Sequence, residues 1–186
     1  MATPERVRLF VALELPARVR SELASWRSAA VGERDDLRLV APASLHVTLA
    51  FLGSCPLSDL PEITSLITHA GTMSAARLRV TGVEPVPPRR PRLFAFDLLD
   101  VDGATIAVQA ALSDALASGG FYKPEKRPFW PHVTFARVRR GVKRVEPISS
   151  PPPELDFTAR HVTLYRSHLS PRGARYEALE RVELRG

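Results

Sequence analysis

The chain has one cysteine, Cys55, which excludes an internal disulfide framework; without paired cysteines or a Cys/His cluster, a structural zinc site is not expected. No carboxylate cluster stands ready to hold another metal. No apolar run reaches the roughly 18 residues of a membrane span, and no apolar signal region follows Met1. A cytoplasmic protein that does not enter membranes is expected. Lysine is scarce, so arginine supplies most of the 26 basic residues, which face 20 acidic ones for a net charge of +6. That balance favours an anionic partner without naming it, and a compositional bias towards Arg, Ala and Pro explains it as well. What the chain does have is an ordinary globular composition, 45% hydrophobic and 25% charged. At 186 residues it is long enough to bury a real core as one domain.

The most informative feature is a repeat. His46-Val47-Thr48 lies in Leu45–Gly53, and His132-Val133-Thr134 lies in Pro131–Val138. Both sit in apolar runs rich in β-branched and aromatic residues, which reads as strand. Side chains two apart on a strand share a face. Each histidine therefore points the same way as its threonine, while Val47, Leu49, Val133 and Phe135 point into core. The copies are close to half the chain apart, which predicts two similar lobes offering one His and one Thr each to a shared cleft.

The rest of the chain reads as alternating helices and strands. Arg8–Leu15 is a buried first strand. Pro16 opens a helix whose apolar face is Val19, Leu23, Trp26 and Ala30. Leu37–Val40 is a short strand before the first motif. A second helix carries Leu60, Ile63, Ile67 and Ala70, with Asp59 and Glu62 resembling a capping box and Gly71 as its stop. Leu78–Val83 and Leu93–Leu98 are strands, separated by a proline- and arginine-rich loop, Glu84–Arg92, that is expected to be irregular. Val108, Leu112, Ala115 and Leu116 mark a third helix, ended by Gly119-Gly120. A second loop rich in proline, basic and aromatic residues, Phe121–Pro131, delivers the second motif. Asp156–Tyr165 and Arg175–Leu184 are the last strands, joined by a turn at Ser170–Gly173. The order βαββαββ, then αββ and a terminal strand pair, predicts a largely antiparallel α+β fold.

Two histidines and two hydroxyls on one cleft suit a particular chemistry. Histidine exchanges protons near neutral pH. In-line displacement at phosphorus gains from two of them, one deprotonating the attacking group and the other protonating the leaving oxygen. Hydroxyls beside them can donate to the non-bridging oxygens, where charge grows. One His-x-Thr means little; two matched copies at this spacing mean much more.

The sequence resembles the 2H phosphoesterase superfamily, named for its two His-x-Thr/Ser motifs. Within it the chain is similar to the bacterial and archaeal RNA 2′,3′-cyclic phosphodiesterases, also called 2′-5′ RNA ligases. The likeness covers almost the whole chain: Arg8–Leu13, Leu39–Gly53, Arg127–Arg137, and a C-terminal pattern with Leu164, Ser167, Leu169, Gly173 and Tyr176. It implies an α+β bilobal fold of two pseudo-symmetric lobes, each an antiparallel sheet backed by helices around a central cleft, with residues 1–186 as a single two-lobed domain. It implies hydrolysis of a 2′,3′-cyclic phosphate at an RNA end to a 2′-phosphate, with no metal and no cofactor. His46 would be the proton donor and His132 the proton acceptor, an assignment the two look-alike motifs cannot make themselves. Thr48, Thr134 and Arg137 would bind the substrate phosphate. The implied partner is RNA ending in a cyclic phosphate, tRNA halves among them, met by a monomer. The alternatives are the reverse reaction, 2′-5′ end-joining, a related enzyme acting on a small cyclic nucleotide, or a nucleotide- or RNA-binding module that kept the fold and lost catalysis; loss of a histidine would mark the last, and both are present.

Other residues weigh less. His161-Val162-Thr163 is a third copy, a decoy where the family needs no histidine. His69 and His168 suggest no chemistry. Arg137, five residues after His132, falls on the opposite face of a regular strand, so its place in the cleft rests on the resemblance. Phe51 and Trp130 are candidates to stack on a base but are expected to pack. Arg89, Arg90 and Arg92 are expected to be loop charges, with guidance of an RNA backbone as the weaker second reading.

Overall fold

The computed structural model describes residues 5–170 and 173–186. Nine strands and three longer helices follow in the order β1 (Arg6–Glu14), α1 (Ala17–Val31), β2 (Leu37–Leu39), β3 (His46–Pro56), α2 (Leu60–Thr68), β4 (Ala76–Val86), β5 (Leu93–Asp100), α3 (Ala104–Ser118), β6 (His132–Val138), β7 (Asp156–Ala159), β8 (His161–Ser170) and β9 (Gly173–Glu183). The strands form two sheets, of order β3-β1-β8-β9 and β2-β6-β5-β4-β7, with antiparallel neighbours throughout.

Strand β1 runs through the middle of the first sheet, and its residues from Leu9 to Leu13 are all buried. An apolar run with no polar face fits a strand covered on both sides. The helices bury one stripe each: Val19, Leu23 and Val31 of α1, Ile63 and Ile67 of α2, and Val108, Leu112 and Leu116 of α3. Helix α3 touches β3 of one sheet and β4 and β5 of the other. At the centre Phe96, Phe135 and Trp26 meet in an aromatic cluster, with Phe96 and Phe135 4.5 Å apart.

Four readings of the sequence need correction. Asp156–Tyr165 is not one strand: the chain breaks at Arg160, so that β7 pairs with β4 in the second sheet and β8 with β1 in the first. Glu84–Val86, read as irregular, continue β4 opposite Ala95, Phe94 and Leu93. The proline costs nothing there because β7 pairs only with the other end of β4, so Pro85 lies where the strand has a free edge. Asp59 makes no capping bond. A short 3₁₀ turn over Leu57–Asp59 leads into α2, so Asp59 already has helical angles instead of the extended ones a cap needs. The helix ends at Thr68, and Gly71 lies in a following 3₁₀ turn over His69–Thr72. The expected turn at Ser170–Gly173 includes Pro171 and Arg172, which lie outside the described residues; Ser170 and Gly173 pair across it.

Candidate active site

Each sheet brings one motif to a common cleft. His46 and Thr48 lie on β3, the edge strand of the first sheet, and His132 and Thr134 lie on β6 of the second. Strands β3 and β6 pack against one another. The four side chains, with Arg137, Ser44, Ser167, Phe10 and Tyr176, line one cavity of about 140 Å³.

The two histidines are anchored alike. His46 Nδ1 lies 2.7 Å from the carbonyl oxygen of Ser44, and His132 Nδ1 lies 2.8 Å from that of Trp130, in both cases two residues upstream. A carbonyl only accepts, so Nδ1 carries the proton and donates, which leaves Nε2 as the working nitrogen. His46 Nε2 is 3.0 Å from Thr48 Oγ1. The hydroxyl donates while the ring is neutral.

The surroundings of the rings differ. Phe10 and Tyr176 press on His46, with centroids 5.0 and 5.4 Å away. Burial among these rings pushes the His46 pKa down to about 4, opposed by the Ser44 carbonyl and helped by the Arg137 guanidinium and by any positive charge on His132. His46 is therefore neutral at pH 7. His132 instead lies flat on Trp130, with centroids 4.3 Å apart and planes at 14°. The Trp130 indole N–H donates to Asp97 over 2.6 Å, and Thr81 donates to the same carboxylate. Asp97 pairs directly with His132 across β5 and β6. Trp130 thus touches His132 with both its carbonyl and its ring, and its expected packing role has a specific object.

Arg137 shares the cleft, contrary to the regular-strand reading, and a bulge is the reason. Thr134 and Ala136 pair with the adjacent residues Ala95 and Phe94, so Phe135 is one residue too many. Phe135 and Ala136 are both buried, and Arg137 comes out on the face of His132 and Thr134. The first motif repeats the device: Thr48 and Ala50 pair with Ala12 and Val11, and Leu49 is the extra residue. Phe51 is then the counterpart of Arg137, and it is 48% exposed at the cleft mouth instead of packed.

The third copy stays apart. His161 pairs with Glu183, and Thr163 is fully buried and donates to Glu14 over 2.6 Å. None of the three residues borders the cleft. His168 bonds Glu177 over 2.7 Å, and His69 reaches the Ser65 carbonyl. Sequence reasoning missed Phe10, Ser44 and Asp97. Phe10 sits in a run that reads as uniform core, while the carbonyl and carboxylate partners carry no signature in one sequence. Among the described residues no group of three or more His, Cys, Asp or Glu side chains is placed to hold a metal ion. Nor is any helix there long and apolar enough to cross a membrane.

Two antiparallel sheets backed by helices, each presenting a His-x-Thr strand to one cleft, define a bilobal α+β fold of the 2H phosphoesterase class. The chain belongs to the 2′-5′ RNA ligase superfamily, whose pattern it matches over residues 15–171. It is 33% identical to an RNA 2′,3′-cyclic phosphodiesterase of Thermus thermophilus, over 97% of this chain and 91% of that protein. Its structure is similar to that of TT0787, also from T. thermophilus, with a TM-score of 0.81, 30% identity and coverage of 96% and 98% of the two chains. It is also similar to E. coli LigT complexed with 3′-AMP, with a TM-score of 0.80, 27% identity and coverage of 97% and 99%.

Proposed function

We propose that this chain is an RNA 2′,3′-cyclic phosphodiesterase that opens the cyclic phosphate to a 2′-phosphate by two-histidine acid–base catalysis. The observation that carries the mechanism is the matched pair of imidazoles, each tied at Nδ1 to a carbonyl and each with Nε2 left for the cleft they share. Water attacks phosphorus as His132 Nε2 takes its proton. The P–O3′ bond breaks, and His46 Nε2 gives a proton to the departing O3′. Thr48, Thr134 and Arg137 hold the non-bridging oxygens, where charge develops.

The direction of proton flow follows the resemblance, and it requires that the bound substrate load His46 with a proton. A histidine with a depressed pKa is a strong acid once charged. Burial is the main cause of that depression, and the negative charge of a bound substrate phosphate beside the ring acts against it, raising the pKa and favouring the protonated form that a donor needs. Thr48 then turns its hydroxyl from His46 to a phosphate oxygen. Four side chains and an arginine supply acid, base and charge stabilisation, which leaves no role for a metal. A cleft that takes one histidine from each sheet of the same chain supports a single two-lobed unit that works as a monomer. RNA halves left by cleavage of a tRNA are among its substrates.

The test is to incubate the protein, with EDTA, with an oligonucleotide ending in a 2′,3′-cyclic phosphate and to map the product. A 2′-phosphate formed at an undiminished rate is expected. A 3′-phosphate, or loss of turnover restored by a divalent ion, would refute the reading.

A further inference from the structure

Beside the cleft lies a larger groove of about 550 Å³ that shares Val40, Ser44, Phe51, Arg137, Ser167 and Tyr176 with it. Among the described residues three arginines line the groove: Arg8 from β1, Arg38 from β2 and Arg137 from β6. Among the described residues no acidic one does so. Arg38 and Arg137 stand directly opposite each other across the β2–β6 pair, an arrangement of like charges that weakens a sheet. All three are exposed, and among the described residues none is in an ion pair. Elsewhere arginines do find carboxylates, as Arg34 does with Asp36 and Arg79 with Asp156. Arg8 lies over the Phe51 ring, 4.8 Å from its centroid, and so is held at the point where groove and cleft meet. Three unneutralised guanidinium groups around one concavity match a run of phosphates, which they can grip in bidentate fashion.

Resting on the reading of the cleft given above, we infer that this groove holds the phosphodiester backbone of the RNA strand just upstream of its cyclic phosphate end, with Arg8 and Arg38 as its phosphate contacts. The enzyme then distinguishes an RNA end from a free cyclic nucleotide. Both place the same cyclic phosphate between His46 and His132, but only the RNA continues along the groove.

The experiment compares a nucleoside 2′,3′-cyclic phosphate with a short single-stranded RNA carrying the same end, using wild type, Arg8→Gln, Arg38→Gln and the double variant. The double variant should lose about tenfold or more in kcat/KM on the RNA and stay within about twofold of wild type on the mononucleotide, which also checks its folding. A second arm measures binding of the same RNA to the His132→Ala protein with and without the two arginines, as a function of salt. The slope of log affinity against log salt should shrink by about 0.7 for each lost phosphate contact. Equal losses on both substrates, or an unchanged salt slope, would overturn the proposal. If wild type hydrolyses neither substrate, the enzymatic reading fails, while the salt arm still judges the groove.

Discussion

His46 ties charge to both binding and stability. Its pKa is about 4 in the folded protein against an ordinary value of 6.5. Protonation therefore favours the unfolded chain. The stabilising contribution is complete above pH 6.5, declines as pH falls, and is gone below about pH 4. The whole effect is on the order of 3 kcal/mol. Denaturant midpoints of wild type and His46→Gln, compared from pH 7.5 to 4, should show the wild type losing its relative stability over that window; parallel curves would argue against a buried neutral ring. NMR titration of the same histidine should show its pKa rising by one unit or more when inorganic phosphate saturates the cleft. On the other side of the cleft, Trp130→Ala frees the His132 ring and should cut kcat by about 10–100-fold, the scale of a small misplacement of a catalytic group. Trp130→Phe keeps a ring to stack on and should recover most of it. Loss in KM alone would show that Trp130 serves substrate binding instead.

The sequence pattern was most legible where elements are regular and least where they bend. Alternation put His46 with Thr48 and His132 with Thr134 correctly, because each pair lies ahead of its bulge. It failed for Arg137 because Phe135 is the extra residue in β6, and nothing in a single sequence distinguishes an extra residue from a paired one. The break at Arg160 leaves only a small mark: Phe157 and Ala159 are buried before it and Val162 and Leu164 after it, so the alternation slips by one residue, which a bulge within a single strand would produce as well. The bulges carry weight in packing as well as in aim. Phe135 is fully buried against Phe96 and Trp26, so Phe135→Ala should cost about 3–5 kcal/mol in chemical denaturation. Phe135→Leu should cost clearly less. A loss under about 1 kcal/mol for the alanine variant would mean that the bulge does not anchor the motif strand.

At the scale of the whole molecule the repeat does not divide the chain into two halves. Strands β8 and β9, from the C-terminal part, complete the sheet that carries His46, and β2, from the N-terminal part, borders the sheet that carries His132. Motif spacing foretold two lobes and one cleft, while this exchange of strands depends on pairing partners far apart in sequence. A chain ended at Ala159 should therefore fail to fold cooperatively, since β1 loses a neighbour and the cleft loses Ser167 and Tyr176. The proposed mechanism gives the chemistry to the two cleft histidines and not to the third copy. Rates of cyclic phosphate hydrolysis by His46→Ala, His132→Ala and His161→Ala test it most directly. The first two should each fall at least about 10²-fold, their double variant should fall by less than the product of the single losses, and His161→Ala should turn over at nearly the wild-type rate. The contrary result is a folded His132→Ala protein that still hydrolyses the cyclic phosphate while His161→Ala does not.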